Sequence, residues 1–171
     1  MTARSAGSNP IARPDLYDFN DLVTSETVLA DVSAGTRKTL FAHIASVATA
    51  TAAAVDPKLV AERMADREKL GTTAFGGGIA IPHARIACPN GVFGIFVRLD
   101  RPIDFGAVDE LPVDLIFALL SPPDAGSDHL KALARVSRAL RDAGFRAKLR
   151  GAGSADALYA LLSGVEARDA A

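Results

Sequence analysis

The chain holds three histidines, and one of them closes the run Gly76-Gly77-Gly78-Ile79-Ala80-Ile81-Pro82-His83. Glycine admits positive φ and close backbone approach. Proline fixes φ and brings no ladder donor, so strand pairing tends to end there. His83 is therefore expected at the end of a short apolar strand, beside a loop able to admit a partner. Such an imidazole can act as nucleophile, proton carrier or metal ligand, or it can be packed against a backbone carbonyl. The spacing leaves these open, although a strand-end position beside a glycine loop favours function. His129 falls in the first turn of a predicted helix. The positive helix end suits a neutral ring there, or one facing a bound anion; a surface residue beside the cap is the alternative. Arg67, in Asp66-Arg67-Glu68-Lys69-Leu70, is either a solvated charge or a guanidinium that grips phosphate oxygens with paired donors. Arg85, just after His83, is a second candidate of that kind. His43 lies at the edge of an apolar helix stripe and reads as a solvated or boundary residue. Asp104, Asp109 and Glu110 follow a predicted turn and read as solvated.

Several chemistries are excluded by what is missing. The glycine run lacks the lysine and Ser/Thr of a phosphate-binding loop, and GxGxxG does not occur. There is no HExxH, no cysteine–histidine cluster and no GxSxG elbow, so neither a metal nor a cofactor is expected. The single cysteine, Cys88, rules out an internal disulfide framework and fits a reducing compartment. A formal net charge of −1 makes no electrostatic case for nucleic acid or an anionic membrane.

The elements that must position these residues follow from periodicity. At 171 residues the chain reads as one domain, with a core of Ala, Val, Leu and Ile and a few Phe. A polar leader (1–14) precedes a domain over 15–165 and a short tail over 166–171. The leader lacks the apolar stretch of a signal peptide, and no run is long and apolar enough to span a bilayer, so a cytoplasmic protein without membrane insertion is expected. Val28 to Val32 reads as a strand. A helix follows from Thr36 to about Ala53, with Leu40, Phe41, Ile44, Val47 and Ala48 on one face. Asp56-Pro57 opens a second helix that carries Leu59, Val60 and Met64 inward and stops at Gly71. Gly91 to Leu99 and Val113 to Leu120 read as an antiparallel pair, with Arg101-Pro102 as the turn. Ser127 or Asp128 then caps a helix to Arg141, with Leu130, Leu133, Val136, Ser137 and Leu140 facing the core. Two short helices end the pattern, one near Phe145 to Arg150 and one near Ala155 to Leu162, the latter capped by Ser154. Strands separated by helices predict an α/β three-layer sandwich, a mixed sheet with helices on both faces.

Five stretches, in this order and spacing, resemble the enzyme IIA proteins of the bacterial phosphotransferase system, fructose/mannitol type, and among them the nitrogen-regulatory branch. They are Arg67-Glu68-Lys69-Leu70-Gly71-Thr72-Thr73, Gly78-Ile79-Ala80-Ile81-Pro82-His83, Arg101-Pro102-Ile103-Asp104-Phe105, Pro112-Val113-Asp114-Leu115-Ile116-Phe117 and Asp128-His129-Leu130-Lys131-Ala132-Leu133-Ala134. The resemblance covers nearly all of residues 16 to 163. It implies that His83 is the phosphoryl acceptor, with the tele nitrogen expected to carry the group, that His129 is the second active-site histidine, and that Arg67 stabilises the phosphate. It further implies an HPr-like phosphocarrier as donor and regulated target proteins, such as kinases or potassium transport proteins. The donor must dock, so an apolar rim including Phe75 and Phe105 is expected. After the histidine the regulatory branch usually has Gly then Lys, whereas here Ala84-Arg85 follows. Two other readings stand beside this one: a sugar-specific IIA that passes phosphate to a IIB domain, and a non-phosphorylated binding module on the same fold.

Overall fold

The computed structural model describes residues 17–52 and 55–165. The expected leader (1–14) and tail (166–171) lie outside the described residues. Strand β1 (Val28–Val32) leads into helices α1 (Arg37–Thr51) and α2 (Pro57–Lys69). Three short strands follow, β2 (Ala74–Gly76), β3 (Ile79–Ala80) and β4 (His83–Arg85), and then the long β5 (Phe93–Ile103) and β6 (Val113–Ser121). Helices α3 (Ser127–Leu140), α4 (Ala143–Gly151) and α5 (Ala155–Leu162) complete the order. The sheet runs β1-β5-β6-β3-β2, with β4 also paired to β6. It is mixed: β5 is antiparallel to β6, while β3 and β4 run parallel to β6 and β1 parallel to β5.

Side chains alternate across a strand, and β6 shows what that does here. Ile116, Ala118 and Leu120 join the core under α1 and α2, with Leu40, Ile44, Val60 and Met64. Leu115, Phe117 and Leu119 join the opposite core under α3, α4 and α5, with Val136, Leu149 and Leu158. The three-layer sandwich is therefore as expected, and β6 is its shared wall. Burying such a side chain contributes about 1.5–3 kcal/mol, so this strand anchors both layers and everything it carries at its ends.

Local chemistry explains most boundaries. Thr36 caps α1 by accepting from the Thr39 amide, and Asp56 caps α2 with Pro57 at its first turn. Ser154 caps α5, and Asp142 caps α4. Gly77 and Gly78 form the two-residue loop of the β2–β3 hairpin with φ of 69° and 78°, the left-handed pair that such a turn needs.

Three expectations need correction. Arg101-Pro102 is not the turn: β5 continues through Pro102 to Ile103, because the register slips between Arg98 and Ile103 and leaves the proline without a ladder donor to supply. The chain turns instead from Asp104, whose carboxylate accepts from the Gly106 amide. Neither Ser127 nor Asp128 caps α3; Gly126 does, at φ 55° and with no side-chain bond. The phase of α3 also differs. Its buried row is His129, Ala132, Val136, Ala139 and Leu140, while Leu130 is 63% exposed. His129, Ala132 and Val136 share one face at i, i+3 and i+7, and Leu130 falls one step round the helix from it.

Candidate functional site

His83 is the first residue of β4 rather than the last of a strand, and the reason lies in Pro82. Proline has no N–H, so β3 stops at Ala80, but its carbonyl still accepts from the Leu119 amide at 3.0 Å. The chain therefore stays against β6, and pairing resumes with His83 opposite Leu119 and Arg85 opposite Ser121. Ala84, where a glycine was expected, is a buried strand residue opposite Leu120. Among the described residues other than glycine only Asp31 and Glu110 have positive φ, so the methyl group at Ala84 meets no backbone conflict.

The His83 ring is half-buried and held at both nitrogens. Nδ1 lies 2.9 Å from the Ile81 carbonyl, and Arg67 Nε donates to Nε2 at 3.3 Å. A carbonyl can only accept, so Nδ1 carries the proton and the lone pair resides on Nε2, facing the guanidinium. Burial lowers the His83 pKa. The Ile81 carbonyl opposes this, the Arg67 charge adds to the lowering, Glu68 opposes it again and Arg85 adds. The ring is thus neutral at neutral pH, with its nucleophilic nitrogen exposed to the cation.

Arg67 comes from the last turn of α2, and Nη1 donates to the Gly71 carbonyl at 2.9 Å. These two bonds use two of the five guanidinium donors. Glu68, its neighbour in sequence, turns inward and is buried. Its carboxylate accepts from the Thr73 amide and from the Thr73 hydroxyl, both at 2.8 Å. Thr72 donates its hydroxyl to the Phe105 carbonyl at 2.6 Å. The α2–β2 corner is therefore stapled by side-chain bonds, which fixes where α2 ends and where Arg67 can reach.

His129 approaches from the other face. Its ring centroid lies 5.4 Å from that of His83 with the planes tilted by 56°. It is buried, and Nδ1 is 2.5 Å from the hydroxyl of the fully buried Ser121. Burial lowers its pKa, and repulsion from a protonated His83 and from the Arg85 charge adds to the effect. Arg85 itself is exposed, with Nη1 3.5 Å from the Pro123 carbonyl.

The three residues singled out by sequence, His83, His129 and Arg67, are thus brought together from β4, α3 and α2. His43 is exposed on α1, outside this group. The expected rim is corrected: Phe105 is fully buried and packs edge-on against Phe41, while Phe75 lines a separate hollow at the hairpin tip beneath Arg141. The large exposed apolar neighbours of the site residues are Leu70 (85% exposed), beyond Arg67, and Leu130, beside His129. Sequence reasoning gave no role to Glu68 or Ser121. Glu68 follows Val60 and Met64 at four-residue steps, which marks it as an acid on the buried stripe. For Ser121 the only signal was a polar residue ending an apolar strand. Among the described residues, no cluster of His, Cys, Asp or Glu could hold a metal ion, and no helix is long and apolar enough to cross a membrane.

The comparisons with known proteins agree on the family and the fold. The family model described as phosphoenolpyruvate-dependent sugar phosphotransferase system, EIIA 2, matches residues 21–165, and the chain belongs to that family. Within it, the chain falls with the nitrogen regulatory proteins. The nitrogen regulatory protein of Bradyrhizobium diazoefficiens is 46% identical over 145 residues, covering 85% of this chain and 94% of the relative. The crystal structure of nitrogen regulatory protein IIA-Ntr from Neisseria meningitidis superposes with a TM-score of 0.77 at 32% identity, covering 83% of this chain and 97% of that one. A fructose-specific EIIA component from Haloferax volcanii is more distant, at 29% identity over 88% of this chain and 98% of the relative.

Proposed function

We propose that this chain is a cytoplasmic phosphoryl carrier of the nitrogen-related phosphotransferase system, accepting phosphate on His83 from an HPr-like phosphocarrier and regulating target proteins by its phosphorylation state. The observation that carries the reading is the pairing at His83: the proton is held on Nδ1 by Ile81 and the lone pair on Nε2 faces Arg67. In the transfer, the Nε2 lone pair attacks phosphorus in line with the donor's imidazole. The donor's P–N bond breaks as the new one forms, and its electron pair returns to the donor nitrogen. Both bonds are of one kind, so positioning and charge stabilisation carry the catalysis.

Arg67 shifts its donors from the Nε2 lone pair to the phosphoryl oxygens, and His129 donates a hydrogen bond to them. Nδ1–H stays on the Ile81 carbonyl throughout and stabilises the more electron-poor ring. Leu70 and Leu130 offer apolar contacts to the docking donor. The nitrogen-regulatory relative at 46% identity, against 29% for the fructose-specific one, favours regulation of targets such as kinases or potassium transport proteins over sugar uptake. The test is incubation with a phosphorylated HPr-like donor. Wild type takes up one acid-labile, alkali-stable phosphate and His83→Ala takes up none; equal labelling of the two proteins overturns the assignment. Transfer onward to a sugar-specific IIB domain would decide for the sugar-uptake reading.

A further inference from the structure

We propose that Ser121 is a positioning residue for the second histidine: its buried hydroxyl holds His129 as the Nε2–H tautomer and so makes it a neutral hydrogen-bond donor to the phosphoryl group. This rests on the phosphoryl-carrier reading above. Ser121 is fully buried at the last position of β6, and its Oγ lies 2.5 Å from His129 Nδ1. A hydroxyl brings one donor. Among the described residues, His129 Nδ1 is its hydrogen-bond partner. If the hydroxyl donates, both of these buried groups are satisfied: Nδ1 accepts, and the ring proton goes to Nε2. If it accepts instead, the serine proton is left in the interior without an acceptor, which is the more costly state. The donating orientation therefore wins. It places the imidazole proton on the nitrogen across the ring from Ser121, where it can be offered to an anion at His83.

The same residue ties the two histidine-bearing elements together. Its carbonyl accepts from the Ile86 amide at 2.8 Å, and its Cα is paired with that of Arg85 on β4. One residue thus fixes the end of the strand that carries His83 and the ring orientation of His129. An apolar residue at 121 would keep the ladder but leave Nδ1 of a buried ring without its donor. The imidazole could then swap tautomers and turn a lone pair towards the phosphoryl oxygens.

The test is the tautomer itself, read with 15N-histidine-labelled protein by two-bond proton–nitrogen correlation at mildly alkaline pH. Wild type is expected to show His129 Nδ1 as a pyridine-type nitrogen and Nε2 as a pyrrole-type one. Ser121→Ala is expected to show a mixture of the two tautomers, with His83 signals unchanged as the check on folding. Phosphoryl transfer to His83 in that variant is expected to slow about tenfold at saturating donor, with little change in the donor concentration needed. Ser121→Thr, which keeps the hydroxyl, should restore the single tautomer. A wild-type His129 protonated on Nδ1, or a Ser121→Ala protein that keeps the single Nε2–H form and transfers within twofold of wild type, overturns the proposal. The tautomer spectrum decides on Ser121 even if no phosphate is taken up, whereas failure of wild-type labelling counts against the carrier reading alone.

Discussion

His83 and His129 face each other across 5.4 Å, yet they are held in different ways. His83 sits on a three-residue strand, half-buried, with a backbone carbonyl on Nδ1 and a guanidinium on Nε2. His129 sits in the first turn of a helix, buried, with a side-chain hydroxyl on Nδ1. A carbonyl can only accept, so it leaves the nucleophilic lone pair on Nε2 of His83. A hydroxyl that donates leaves the proton on Nε2 of His129. Two like rings are thereby given opposite capacities, one to attack and one to donate, by the partner each has at Nδ1. Burial then keeps both neutral, and the Arg85 charge acts on both in the same direction.

The largest effect should come from removing the attacking ring: His83→Ala reduces phosphate uptake to background. His129→Ala should leave uptake on His83 in place but slow it by about 100-fold, the loss of one aimed donor. Labelling of the His129 ring in the first variant would break the contrast. Arg67→Lys should slow transfer by about 10- to 100-fold, because a lysine keeps the charge but loses the fork that reaches both Nε2 and the Gly71 carbonyl; rapid-quench measurements with saturating donor would read it. Glu68→Gln tests the supporting shell. It keeps the shape but weakens the bonds to Thr73, and should cost about 1–2 kcal/mol in urea unfolding, with a smaller slowing of transfer.

The smallest effect is the pH dependence. Both rings have pKa values lowered from 6.5, so as pH falls below 6.5 the unfolded chain takes up protons that the folded chain does not. Stability should therefore fall from pH 6.5 down to the depressed values and level off below them as far as these two groups are concerned. Transfer should be flat above pH 6.5 and decline once His83 itself is protonated. In a His129→Gln protein the stability slope should be shallower.

The fold was legible because its signals are local. The continuous apolar run of β6 and the caps at Asp56 and Ser154 each act within a few residues. The placing of His83 against the sheet, beside a glycine hairpin, was legible for the same reason, since glycine, strand and proline are consecutive. What stayed hidden depends on distant partners. A register slip let Pro102 remain inside β5, and nothing in the local sequence announces it. The phase of α3 was misread because Leu130 looks like a core residue, whereas it stays exposed beside the site and a histidine takes the inward position. Ser121 meets His129 only because β6 ends where α3 begins its first turn.

The most direct measurement is the site of modification after exposure to a phosphorylated HPr-like donor, read by nitrogen–phosphorus coupling in 15N-histidine-labelled protein. A single coupling is expected at Nε2 of His83, with Nδ1 of that ring still protonated and His129 unmodified. Phosphorus on Nδ1 of His83, or on His129, would contradict it.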